Sequence, residues 1–198
     1  MTVARFAKAA LLIALGSLAA CSSPAQPAGG KSTAQTETCG PTKTFTNGFL
    51  SFRYSGCWTA TTYNEMSTMS QTIVYLSDQA THDPCHAAAV GRTCAQPLSK
   101  LRPGHVLVQW SEGGSPNWNL DQIQGSPTTV GGQPARYDIS RPGSCNGIGA
   151  DETVSVTIAR STPFNWYRMT ACLLAPGDPQ AATAVQQMLS TVTFTGPA

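Results

Sequence analysis

Thr153-Val154-Ser155-Val156-Thr157-Ile158-Ala159 decides the fold of this chain. Val154, Val156 and Ile158 alternate with Thr153, Ser155 and Thr157. That period of two sends apolar side chains to one face of an extended strand and hydroxyls to the other. Ser161-Thr162-Pro163 turns the chain, and residues 166–174 have the composition of an antiparallel partner. A hairpin with one apolar face predicts an antiparallel sheet with that face on a core.

Working outward toward the C-terminus, residues 179–189 predict the best helix. Asp178 is placed to cap it and Pro179 suits its first position. Ala182, Val185, Gln186 and Leu189 fall on one expected face, and Thr191-Val192-Thr193-Phe194 reads as a terminal strand. Toward the N-terminus, Thr44-Phe45-Thr46 and residues 49–54 flank Asn47-Gly48, a strong hairpin signal. Residues 72–77 and 104–111 read as strands, the second central, with a turn or loop at Glu112-Gly113-Gly114-Ser115-Pro116-Asn117. Residues 119–123 predict one helical turn. Residues 126–134 lead into a period-two segment at 135–139. For residues 78–96 two readings stand: a short helix over 80–90 interrupted at Asp83-Pro84, or an irregular loop. Both leave that segment outside the sheet. The fold class is therefore α+β, an antiparallel β-sheet covered by helices.

The N-terminus says where such a domain works. Arg5 and Lys8 precede an apolar run, and Leu18-Ala19-Ala20-Cys21 closes it. The run is too short for a membrane span. The tetrapeptide resembles a bacterial lipobox, which implies a signal peptide at residues 1–20 and diacylglyceryl attachment at Cys21. Two acyl chains give stable anchoring where one does not. The expected location is the extracytoplasmic face of the cell membrane. Residues 22–38 are rich in Ser, Pro, Ala, Gln, Gly and Thr, so residues 21–38 read as a flexible tether and 39–196 as one domain.

Twelve basic and ten acidic side chains give a formal charge of +2, and Arg5 and Lys8 account for the excess. Without a basic cluster there is no basis for a nucleic-acid partner. With Cys21 set aside as the lipid site, six cysteines remain in an oxidising compartment. Pairing chain neighbours without crossings gives Cys39–Cys57, Cys85–Cys94 and Cys145–Cys172. No CxxC dithiol is present.

The chain offers little assembled chemistry. His82-Asp83-Pro84-Cys85-His86 places two histidines four apart, but Pro84 spoils the helix that a shared metal would need. No metal or cofactor is expected. His105 reads as a packed or edge histidine at the start of a strand. Gly143-Ser144-Cys145-Asn146-Gly147 has cysteine where a nucleophile elbow needs serine. Asp151-Glu152 reads as the polar entry to a strand, with Asp151 a possible brace for Arg141 or Arg160. Glu112, Asp121 and Asp138 lie on different elements. Gly113-Gly114 and Gly131-Gly132 lack the setting of a phosphate loop. Trp110, Trp118 and Trp166 border loops rich in Ser, Asn and Gly. With Asn119 they form the candidate ligand patch, suited to stacking on a sugar or gripping a peptide.

Gly48-Phe49-Leu50-Ser51-Phe52-Arg53-Tyr54 with Trp58, then Thr129-Val130-Gly131-Gly132-Gln133-Pro134-Ala135, then the closing helix and Ser190-Thr191-Val192-Thr193-Phe194, resemble small actinobacterial secreted lipoproteins of the Mog1/PsbP-like fold. The resemblance covers roughly residues 45–195. Cys57 before Trp58 departs from a family pattern that often has proline before this turn. The resemblance implies a binding scaffold rather than an enzyme scaffold. The expected function is a lipid-anchored, non-catalytic binding or accessory domain whose partner is an envelope protein, a glycan or a small lipid. The alternative is a cell-envelope hydrolase acting on glycan or peptide.

Overall fold

The computed structural model describes residues 39–88, 91–161, 163–174 and 179–195. The proposed signal peptide, Cys21, the tether and the capping Asp178 lie outside the described residues.

The hairpin that decides the fold is β10 (Glu152–Ala159) paired with β11 (Trp166–Leu173), in antiparallel register from Glu152 opposite Leu173 to Ala159 opposite Trp166. Around it stands a seven-stranded sheet that also contains β3 (Thr59–Thr61), β4 (Ser70–Ser77), β7 (Leu107–Gly113), β8 (Ser126–Val130) and β9 (Gln133–Ser140). The strand order is β3-β4-β7-β11-β10-β9-β8, and every pairing is antiparallel. Residues 126–130, expected as a lead-in, form the edge strand β8. Gly131 and Gly132, at φ of 57° and 77°, make the tight turn into β9, a conformation glycine adopts without strain.

A second, three-stranded sheet holds β1 (Lys43–Thr46), β2 (Leu50–Tyr54) and β12 (Thr193–Phe194). At its turn the Asn47 side-chain oxygen accepts from the backbone N–H of Leu50 at 2.9 Å, and Gly48 takes φ of 92°. Helix α1 (Pro179–Ser190) packs against β2 and β11 and buries Ala181, Val185, Met188 and Leu189. Val185 and Leu189 lie on the buried face as expected, while Ala181 and Met188 take the places expected of Ala182, which is half-buried, and Gln186. Gln186 is exposed, donating to the Tyr137 hydroxyl at 3.0 Å. Leu50, Phe52, Tyr54, the helix and the apolar face of the large sheet share one core. Phe52 stacks on Trp110 at 5.0 Å between ring centroids.

A smaller cluster lies on the other side of the large sheet at one end. Leu98, Leu101, Ile148 and Ala150 cover Tyr75, Leu107 and Cys172 there. Cys145, in the 3-10 turn Ser144–Ile148, is bonded to Cys172, and this disulfide joins that turn to the central strand β11. Cys39–Cys57 and Cys85–Cys94 are the other two disulfides among the described residues. Cys85–Cys94 closes a separate two-stranded ribbon, β5 (Cys85–Ala87) and β6 (Arg92–Cys94), so the helical reading of residues 80–90 is replaced by a short hairpin. Pro84 and the nine-residue disulfide spacing favour that hairpin over a helical turn.

Trp110 is 0 % exposed, with its indole in the main core. Replacing it with alanine should lower the unfolding free energy by about 3–5 kcal/mol, read from denaturant midpoints. A loss below about 1 kcal/mol would contradict its place in the core.

Candidate functional site

The two faces of the large sheet differ in chemistry, and the difference starts from the alternation in β10. Val154, Val156 and Ile158 meet the main core, while Thr157 belongs to the opposite face. The register sets Thr72, Ser111, Arg168, Thr157 and Arg136 side by side across five strands of that face. One row further along, Gln109 pairs with Thr170 and Ser155 with Asp138. Away from the covered end of the sheet, this face thus carries hydroxyls, amides, two guanidiniums and the Asp138 carboxylate.

Arg168 is half-buried on it. Its Nε donates to the Thr157 hydroxyl at 3.0 Å, and its guanidinium lies 5.2 Å from the Trp166 ring centroid. Burial holds its pKa below the usual arginine range, though arginine stays charged. Arg136 differs, because Asp121 neutralises it at 3.0 Å. Among the described ion pairs none involves Arg168.

The chain between β7 and β8 must cross β11, β10 and β9. It does so on the polar face, because Asp121 of the 3-10 turn Leu120–Gln122 reaches Arg136. Trp118 and Asn119 sit on this crossing segment and Trp166 on one of the strands it crosses. Asn119 is exposed, and its side-chain oxygen caps the turn by accepting from Asp121 N at 2.9 Å. Trp118 and Trp166 are half-buried. Trp110 must be removed from the expected patch: it points into the main core. The reason is that Gly113 does not end the strand as a loop would. β7 runs through it, and the Trp166 indole lies so close over it that a Cβ there would sit 2.4 Å from a ring carbon. That glycine serves a close approach rather than a turn.

The opposite edge of the same strands carries a feature the sequence did not single out. Gln71, Glu112 and Tyr167 lie opposite one another on β4, β7 and β11. Glu112 is 4 % exposed and forms part of the wall of a cavity of about 380 Å³. Gln71 Nε2 donates to its Oε1. Its Oε2 and the Tyr167 hydroxyl are enclosed beside each other, and the phenol O–H is the one donor besides Gln71 that the sheet register sets against this carboxylate. Burial, then the adjacent Glu112, pushes the Tyr167 phenol up to about 12. A second hollow, of about 370 Å³, lies between β2 and α1 and includes Cys39, Arg53 and Met188 in its lining.

The remaining candidates are braced structurally. Glu152, not Asp151, holds Arg141, accepting from its Nε at 2.7 Å. His105 Nδ1 lies 3.2 Å from Asp78, and no hydroxyl hydrogen-bonds to this imidazole among the described residues. Glu65 lies near the sulfurs of Cys85 and Cys94, but these are bonded to each other and offer no thiolate. Glu112 and Asp138 face opposite sides of the sheet.

No protein-family model matches the chain, and no curated protein matches it.

The tyrosines give a pH prediction. Tyr75 is also pushed up, by burial first and then by its hydrogen bond to Glu65 at 2.7 Å. A raised phenol pKa means the folded state prefers the neutral form, so the stabilisation is full below about pH 10, the unfolded value. It is lost as pH rises from there through about 12, where Tyr167 ionises in the folded state. Denaturant midpoints should fall from pH 9 to 11.5, and less steeply in Tyr167→Phe. A flat profile would contradict the burial of these phenols.

Proposed function

We propose that this chain is a lipid-anchored, extracytoplasmic, non-catalytic binding domain on a Mog1/PsbP-like scaffold, with the polar face of the seven-stranded sheet as its ligand surface. One observation carries the reading: Arg168, a half-buried guanidinium without a carboxylate partner among the described ion pairs, set in a floor of hydroxyls and amides. A partly desolvated arginine is costly unless something anionic meets it, and its planar fork matches a carboxylate. Ser111, Thr170 and Gln109 beside it suit the hydroxyls of a sugar, and Trp166 holds the guanidinium in place. The ligand class is a carboxylate-bearing glycan of the envelope. Lipid attachment at Cys21 would keep the domain in the compartment that holds such material.

Two measurements test the reading. In a fluorescence titration with glucuronate-containing oligosaccharide, binding should weaken about tenfold or more in Arg168→Gln, since charged hydrogen bonds contribute about 1.5–3 kcal/mol. The uncharged glucose oligosaccharide should bind poorly. Equal affinity of the variant and the parent would remove Arg168 from the site. For the anchor, Cys21→Ser should move the protein from the detergent phase to the aqueous phase in a phase partition. Retention in detergent would rule out Cys21 as the lipid site.

A further inference from the structure

The cavity beside Glu112 lies at the edge of the core, on the other side of the sheet from Arg168. Its inner wall includes the Glu112 carboxylate, and its rim carries Met66, Met69, Phe164 and Asn165. Met66 and Met69 are 70 % and 62 % exposed, unusual for thioether side chains flanking a cavity. They belong to a tight reversal in which Met66 bridges Gln71 and the Ser67 and Ser70 hydroxyls bond at 2.8 Å. The Gly114 N–H donates to Met69 O at 3.0 Å, tying this reversal to the end of β7.

A carboxylate this buried is ordinarily matched by a cation. The described acid–base pairs are Asp83–Arg92, Asp78–His105, Asp121–Arg136 and Glu152–Arg141. Glu112 is in none of them. Gln71 contributes an amide dipole to one oxygen, and the neighbouring Tyr167 hydroxyl carries no charge. Arg160, a buried cation close enough for its charge to act on the Tyr167 phenol, donates to the Thr195 carbonyl at 2.8 Å and lies over Phe194. Among the described ion pairs Glu112 therefore has no cation, and its side chain borders the cavity.

We propose that this cavity binds an alkylammonium group, the chemistry of a lysine side chain or a small aliphatic amine. The ammonium would meet Glu112, and the carbonyl oxygens of Gln71 and Asn165 would accept its other N–H groups. The alkyl stem would lie against the Met66 and Met69 thioethers and the Phe164 ring. Flexible methionines suit a mouth that must open to admit it, since a thioether repacks at little cost. A hard divalent ion fits poorly, because it asks for six or more oxygen ligands and this wall supplies a single carboxylate. The site is independent of the glycan face.

The five methionines make the test direct, because Met169 and Met188 are buried in the main core and report on folding. The full chain, labelled with ¹³C at the methionine methyls, is titrated with n-butylammonium. Saturable shifts of the Met66 and Met69 methyls, with Met169 and Met188 still, are expected. Butyrate should produce none. Glu112→Gln should weaken butylammonium binding at least tenfold while the Met169 and Met188 signals keep their positions. If those core signals move, Asn165→Ala, on the cavity rim, supplies the comparison and should weaken binding severalfold. Equal shifts by butyrate and butylammonium would show an apolar hollow without charge recognition. Undiminished binding by a folded Glu112→Gln, or displacement of butylammonium by millimolar calcium, would overturn the proposal.

Discussion

The contact between Phe52 and Trp110 is the one on which the rest of the structure depends. Each ring stands on a strand of a different sheet, and their stacked centroids are 5.0 Å apart. Phe45 stacks on the outer side of Phe52 at 5.1 Å, so three aromatic rings bridge from the small sheet to the centre of the large one. Neither sheet has a stable alternative. A three-stranded sheet needs an apolar partner to persist in water, and the apolar face of the seven strands needs cover. Helix α1 completes that cover alongside β2. Once the apolar faces are committed to each other, the reverse face of the large sheet is free to be polar, and that freedom creates the surface around Arg168.

The reverse face is closed at one end by an unusual means. The disulfide from Cys172 in β11 to Cys145 fixes a short 3-10 turn over a small apolar cluster rather than extending the core. The ends of such a turn are stabilised weakly by their own hydrogen bonds. The cross-link keeps the turn close to the strand whether or not those bonds persist. The remaining surface is left to side chains that bond laterally, Arg168 to Thr157 and Gln109 to Thr72 and the Tyr75 hydroxyl. Lateral bonding of this kind pre-orders polar groups and lowers the entropy lost when a ligand arrives.

Much of this was legible because β-strands declare themselves through a period of two. Val154, Val156 and Ile158 needed no tertiary information to be assigned a common face. The same holds for Leu50, Phe52 and Tyr54, all buried in the main core. Where the reading failed, a local signal had two causes that sequence does not separate. Gly113-Gly114 looks like a turn, yet Gly113 is a strand residue with an indole resting on it. Ending the strand early put Trp110 at a loop border and so into the wrong environment. Pro127 hid an edge strand, where proline is tolerated because one side lacks a partner. Glu112 reads in sequence as a turn residue on a different element from the other acids, since the residues opposite it come from β4 and β11, 41 and 55 positions away. Nothing in the alternation of β7 announces that a carboxylate will replace an aliphatic side chain on the core face.

That replacement links the two edges of the domain. Along β7 the core face reads Val108, Trp110, Glu112, from aliphatic through aromatic to charged. The gradient follows the boundary of the cover. Phe52 reaches Trp110, while at Glu112 the neighbours become Gln71, Tyr167 and the open cavity. A sheet whose apolar cover ends one residue pair short must place something at the exposed end. A leucine there would leave apolar area facing water at about 25 cal/mol per Å². A carboxylate instead keeps the end wet or holds a cation, at the expense of desolvation. Enclosure of Oε2 beside the Tyr167 hydroxyl argues against the first of these, because a solvating role would be served by an exposed oxygen, whereas a cation can reach Glu112 once the methionine rim opens. The placement of Glu112 is therefore better explained by what it attracts than by what it shields.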